Sequence, residues 1–152
     1  MIRCIPKGIC SWNFSLGGDD HHATLEFNWG SEQGNITVDE IPFKVRKHGM
    51  LSGHWSLDRR EEQVVSGKKT TAFTWTFEIQ DSVDNLVLLA ESTFTRSFRV
   101  ERSGDVIAKI YPDHSFTRRA TIDNLAQDLN FTTLAFSFWL VVLTWRRAQN
   151  NS

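Results

Sequence analysis

A chain of 152 residues with a formal net charge of -1 is long enough to bury a sizeable core without disulfide or metal staples, and one domain is expected over residues 1–152. With 23% charged and 40% apolar residues it is neither disordered nor drawn as a whole to polyanions, which sets nucleic acid aside as a partner. Six Trp and eleven Phe against one Tyr promise a thick aromatic core with few phenol hydroxyls to satisfy.

Cys4 and Cys10 lack the spacing of a zinc knuckle or a redox pair, and Met1-Ile2-Arg3 leads into turn-rich sequence rather than an export signal. The expectation is a cytoplasmic protein with two reduced thiols. Trp12, Phe14 and Leu16 alternate with polar neighbours up to the turn residues Gly17-Gly18-Asp19-Asp20, and beyond them Leu25, Phe27 and Trp29 alternate with Thr24, Glu26 and Asn28. The period of two predicts two strands joined by a hairpin. Further strands are predicted at 35–38, 43–47, 53–57, 63–65, 71–79, 86–92, 94–102, 105–111 and 115–122. The clearest is 71–79, where Phe73, Trp75, Phe77 and Ile79 share one side and Thr74, Thr76 and Glu78 the other. Ser103-Gly104 marks a tight hairpin. The sum is a meander of about ten to twelve strands.

The stretch FTTLAFSFWLVVLTWRR, residues 131–147, has apolar side chains around its whole circumference, so a helix here must be enclosed on every side. Asn130 can cap its start, and Arg146 with Arg147 suits the negative end of its dipole. From Phe131 to Trp145 the rise is about 22 Å, short of the roughly 30 Å of hydrocarbon that a spanning helix crosses. A barrel of about twelve strands is too wide for its own side chains to fill. The helix is therefore expected to plug it; the alternative is a C-terminal membrane anchor.

The stretches FTRSFRVERSGDVIAKI (94–110) and SFTRRATI (115–122), followed by a short polar connection and a hydrophobic C-terminal helix, resemble the Tubby C-terminal-like superfamily. That superfamily includes the Tubby proteins, the phospholipid scramblases and the LURP-one-related proteins. The resemblance implies a mainly β fold, a closed antiparallel barrel around a central hydrophobic helix. It covers nearly the whole chain but is architectural, so no family site residue is carried over. Its members include phosphoinositide binders, scramblase-type membrane proteins and small proteins without an assigned activity, so fold alone does not choose among them.

Arg96, Arg99, Arg102, Lys109, Arg118 and Arg119 gather in the C-terminal half against Glu101, Asp105 and Asp113. Guanidinium groups pair well with phosphate, and Arg99, Lys109, Arg118 and Arg119 are the candidate contacts for an anionic lipid headgroup. A solvated barrel exterior is the plainer explanation of the same residues. Arg99 has outward parity; Arg96 and Arg102 share the parity of Phe98, which requires strand ends, a bulge or internal pairing. Asp19, Asp20, His21 and His22 read as a hydrated hairpin tip, not a metal site. His48, His54 and His114, with Ser52, Ser56 or Ser115, are the only material for a rim enzyme, without a nucleophile elbow, phosphate loop or carboxylate pair. The expectation is a non-enzymatic binding module with no cofactor and no metal, its partner an anionic phospholipid or a protein. A scramblase-like anchored protein and an enzyme with a rim site are the alternatives.

Overall fold

The structure, a computed structural model, describes residues 1–92 and 95–151. The strands are β1 (Ile2–Pro6), β2 (Phe14–Gly18), β3 (His21–Phe27), β4 (Gly34–Val38), β5 (Ile41–Lys47), β6 (His54–Arg59), β7 (Glu62–Lys69), β8 (Thr76–Gln80), β9 (Asn85–Ala90), β10 (Phe98–Arg102), β11 (Asp105–Pro112) and β12 (Ala120–Asn124), followed by helix α1 (Phe131–Asn150). Each strand pairs antiparallel with its sequence neighbours, and β1 pairs with β12, so the sheet closes into a barrel. Closure leaves no sheet edge.

Alternation decides which face of each strand turns inward. In β3 Ala23 and Leu25 are buried while His22 and Glu26 are exposed; in β10 and β11 Phe98, Val100, Ala108 and Ile110 are buried with Lys109 exposed between the last two. The interior is occupied by α1, whose residues from Thr133 to Trp145 are all buried. Phe138 packs edge-on against Phe14 at 5.0 Å between ring centroids, and Trp139 stacks on Phe27 at 3.7 Å. The inward hydroxyls of Ser137 and Thr144 donate to the helix's own carbonyls at Thr133 and Leu140, which satisfies them without a partner from the wall. Where wall and helix come closest the wall has no side chain. A Cβ on Gly34 would lie 2.6 Å from Trp139 Cη2, and one on Gly67 would lie 2.8 Å from Leu140 Cδ1.

Asn130 caps α1, its Oδ1 accepting from the amides of Thr132 and Thr133. Thr133 donates its hydroxyl to Asp81 at 2.6 Å, tying the first turn to the wall. Burial pushes the Asp81 carboxyl up, but hydrogen bonds from Thr133 and from the amides of Asp84 and Val83 outweigh it and hold the group below the usual carboxylate range.

Several predicted boundaries move. Residues 2–6, where no strand is predicted, form β1: Ile2 and Cys4 point inward and bridge β2 to β12. The strand predicted at 71–79 begins only at Thr76, because Thr71 folds back and accepts at its Oγ1 from the amides of Phe73 and Thr74, making a turn in which Phe73 is exposed. Likewise Trp12 precedes β2, Trp29 follows β3, and 115–119 precede β12. Of the strand predicted at 94–102, Phe94 lies outside the described residues and β10 starts at Phe98. The helix extends from 131 to Asn150 rather than ending at 147.

A cationic rim with apolar loop tips

Antiparallel order sends successive connections to opposite ends of the barrel, and the two ends differ. At the end where α1 starts, the hairpins are tight: Asp19-Asp20, Asp39-Glu40, Arg60-Glu61 and Ser103-Gly104 all have positive φ at both residues, the geometry of turns that follow the natural strand twist. This end is acidic. Met1, Asp19, Asp20, His21 and Asn124 line a shallow cavity there, and His21 Nδ1 lies 2.6 Å from Asp39.

At the end where α1 stops, the connections are longer, spanning 7–13, 28–33, 48–53, 70–75, 91–97 and 113–119. Each of them whose tip is described carries a large apolar side chain in the open. Ile9 is 94% exposed, Trp29 100%, Met50 87%, Leu51 99%, Phe73 96% and Phe116 98%. In the remaining connection, 91–97, Phe94 lies outside the described residues. A ring of bulky apolar groups held in water is costly, and six of them gather at this end, whereas Met1, Val83 and Leu125 are exposed at the other.

Behind the tips lies a belt of cations. Arg147 and Lys47 converge on Glu32, with Lys47 Nζ 2.7 Å and Arg147 Nη2 2.5 Å from Glu32 Oε1. Partial burial pushes the Glu32 carboxyl up, but the charged hydrogen bonds from Arg147 and Lys47 prevail and hold it below its ordinary value. Lys69 lies 4.1 Å over the Trp75 ring, and burial, with Arg147 nearby, lowers its proton affinity. Lys47, Lys69 and Arg147 with Met50 and Leu51 line a cavity of about 370 Å³ between two loops. Arg146 donates to the Ser31 carbonyl at 2.8 Å.

The four residues predicted as anion contacts do not converge. Arg99 and Lys109 are register partners on the outer wall, where Arg99 Nε donates to Glu101 at 2.7 Å and Lys109 faces Asp123 across the next pair. Arg118 and Arg119 sit on the rim loop 113–119, not on a strand. Arg119 is exposed; Arg118 lies over Trp12 and donates to the carbonyls of Gly8, Ile9 and Ser11, fastening one rim loop to another. Arg96 performs the same task next door, its Nη2 reaching the carbonyls of His114, Ser115 and Thr117 at 3.2, 3.0 and 2.8 Å. Arg102 is at a strand end, paired with Asp84 and Asp128. The cation-rich composition was readable in the sequence; the apolar tips were not, because Trp29 and Phe73 continue a strand's alternation past its end.

Beside the last turn of α1 opens a cleft of about 440 Å³, walled by Trp12, Trp75 and Trp145 over Phe98, with Arg96 and Arg118 in its lining. Arg96 lies 5.4 Å over the Trp145 ring, and Trp145 Nε1 donates to the Arg96 carbonyl at 3.1 Å.

The histidines considered for catalysis are on the outer wall and its loops. His48 Nε2 lies 2.6 Å from Ser56 Oγ, and Ser56 donates to Asp58 at 2.8 Å. The single proton of Ser56 goes to the carboxylate, so His48 approaches that hydroxyl as a donor and is not placed to withdraw its proton. His54 stacks on His48 at 4.5 Å, and burial, then the neighbouring charges of His48 and Lys68, lowers its proton affinity. His114 is on the loop 113–119, away from both. Cys4 is buried, which pushes its thiol far up, and Cys10 is exposed on a rim loop; both are free.

No protein-family model matches the chain, and neither a curated protein nor a solved structure matches it significantly.

Proposed function

We propose that this chain is a non-enzymatic binding module of Tubby C-terminal-like kind that docks on anionic membrane surfaces with the rim at the C-terminal end of α1. The twelve-strand closed barrel and its enclosed helix support the family reading. The observation that carries the functional reading is the ring of exposed apolar tips, Ile9, Trp29, Met50, Leu51, Phe73 and Phe116, backed by Lys47, Lys69, Arg96, Arg118, Arg119, Arg146 and Arg147.

Each fully buried side chain of this size contributes about 1.5–3 kcal/mol on leaving water, and each cation held near an anionic leaflet adds about 1 kcal/mol. Together these exceed the ordering cost of docking, whereas either set alone is marginal. Trp29 at a loop tip has the amphipathic ring that favours the headgroup layer. Contact is superficial on this reading. Among the described residues no helix is long and apolar enough to cross a membrane, and the outer wall carries Arg3, Glu26, Lys44, Glu78 and Lys109 where a spanning barrel has an apolar band. Because α1 fills the barrel, the anchored alternative would require the core to be emptied.

Vesicle co-sedimentation tests the proposal. The protein should pellet with vesicles containing phosphatidylserine and far less with neutral phosphatidylcholine, and added salt should weaken the binding. The triple variant Trp29→Ala/Leu51→Ser/Phe73→Ala should lose at least about tenfold in affinity. Val83→Ser, which removes an apolar side chain 85% exposed at the acidic end, should change nothing. Equal pelleting of the triple variant and the parent protein, or no pelleting with anionic vesicles, would overturn it.

A further inference from the structure

The tryptophan cleft beside the end of α1 is a second kind of site within the same rim, and its lining is specific enough to name a ligand class. Three indoles and Phe98 make its walls apolar, and among the described residues no carboxylate lies in its lining. Two guanidinium groups do. Among the described residues neither Arg96 nor Arg118 has a carboxylate partner: both spend their donors on backbone carbonyls, which orient them without cancelling their charge. Among the described residues the hydrogen bonds of Arg96 fall on Nη2, which leaves the N–H groups of Nε and Nη1 to donate one at a time to a ligand oxygen, with the charge-assisted strength of a guanidinium. Each guanidinium also lies against one of the indoles of the cleft, at 5.4 Å for Arg96 on Trp145 and 5.5 Å for Arg118 on Trp12. Burial lowers the proton affinity of Arg96, and no acid opposes this.

An apolar cleft of about 440 Å³ with net positive charge in its lining fits an amphiphile with one chain and one anionic end. We propose that it binds a single fatty acid, the alkyl chain against Trp12, Trp75, Trp145 and Phe98 and the carboxylate on Arg96. The inference rests on the membrane reading only for the source of the ligand, since the cleft opens at the rim that would face the bilayer. Its chemistry is independent of docking.

The test uses the whole chain without detergent or vesicles and reads tryptophan emission, which bromine quenches on contact. Stearate brominated at mid-chain, kept below its micelle concentration, should quench saturably, and the matching brominated alcohol should bind at least about tenfold more weakly. Ala148→Phe, an exposed helix position lining the cleft, should abolish quenching by the acid while thermal unfolding stays unchanged. Arg96→Gln should bring acid and alcohol to equal affinity, a ratio that partial unfolding of the variant does not alter. If acid and alcohol quench alike in the parent protein, or if Ala148→Phe binds as the parent does, the inference fails. Quenching by vesicles of brominated phosphatidylcholine and phosphatidylserine, with none by the monomeric acid, would reject the cleft and keep the docking face. The acid binding without any vesicle binding would do the reverse. Capture of an acidic aromatic peptide in place of the acid would assign the cleft to a protein ligand and also overturn the inference.

Discussion

Gly34→Ala should destabilise the barrel out of proportion to the one methyl group it adds. The new Cβ would stand 2.1 Å from the carbonyl oxygen of Glu26 on β3 and 2.6 Å from Trp139 Cη2 on α1. The indole is the rigid, fully buried end of a stacked pair with Phe27, and the carbonyl belongs to the neighbouring strand, so neither can move without carrying its element along. Overpacking of this kind costs about 1–3 kcal/mol, and a backbone obstacle places it near the upper end. For a chain of this length about 3 kcal/mol corresponds to a fall of roughly 6–12 °C in Tm. Gly17→Ala is the matched control. No atom lies within 4 Å of its Cβ position, so the substitution should be neutral or stabilise by up to about 1 kcal/mol through the unfolded state. Urea unfolding followed by far-UV circular dichroism reads both, and the slope should stay constant while the midpoint moves. Gly34→Ala within about 0.5 kcal/mol of the parent protein would show that the wall is not in contact with the helix there, and the packed-plug account would fail.

Removing 131–152 should abolish cooperative unfolding and cause aggregation, because Phe136, Phe138 and Trp139 alone are each worth about 3–5 kcal/mol of core packing; a truncated chain with an intact thermal transition would refute the enclosed helix. Asn130→Ala should cost about 1 kcal/mol by leaving the first amides of α1 without their acceptor, measured as a shift in urea midpoint. Glu32 is a carboxylate held below its ordinary value of 4.5, so its contribution is present above that pH and is lost as pH falls through the lower folded value. Glu32→Gln should therefore lower Tm at pH 7, by about 1 kcal/mol of stability, and the two Tm curves should converge well below pH 4.5.

Legibility in the sequence followed local periodicity. The alternation at 23–27 and around Ser103-Gly104 located strands because one face is buried along them, and the all-round apolar character of 131–145 required an enclosure, which the closed sheet supplies. Ile2 to Pro6 could not be recognised, since five residues with only two inward positions show little alternation, and one of the two strands they pair with lies about 120 positions away. Trp29, Phe73 and Phe116 misled for a different reason. An aromatic continuing a strand and an aromatic on a loop tip have the same parity, and only the height of the barrel wall separates them. The cations were visible as residue types, but the work of Arg96 and Arg118 as clamps between rim loops depends on carbonyls far along the chain.

The pairing of β1 with β12, with the helix following both, also sets an order in time. During synthesis the strands emerge before the helix that fills them, so the inward Phe14, Trp55, Phe77 and Phe98 have no lasting partner until residue 145 has left the ribosome. Closure by residues as distant as Ile2 and Ile122 places the chain among the slow, non-local folders, on a scale of about milliseconds to seconds. Half-made barrels with open edges and bare aromatic faces are aggregation-prone species. Lasting burial of these inward faces therefore waits on the residues of α1, which come after all twelve strands in chain order.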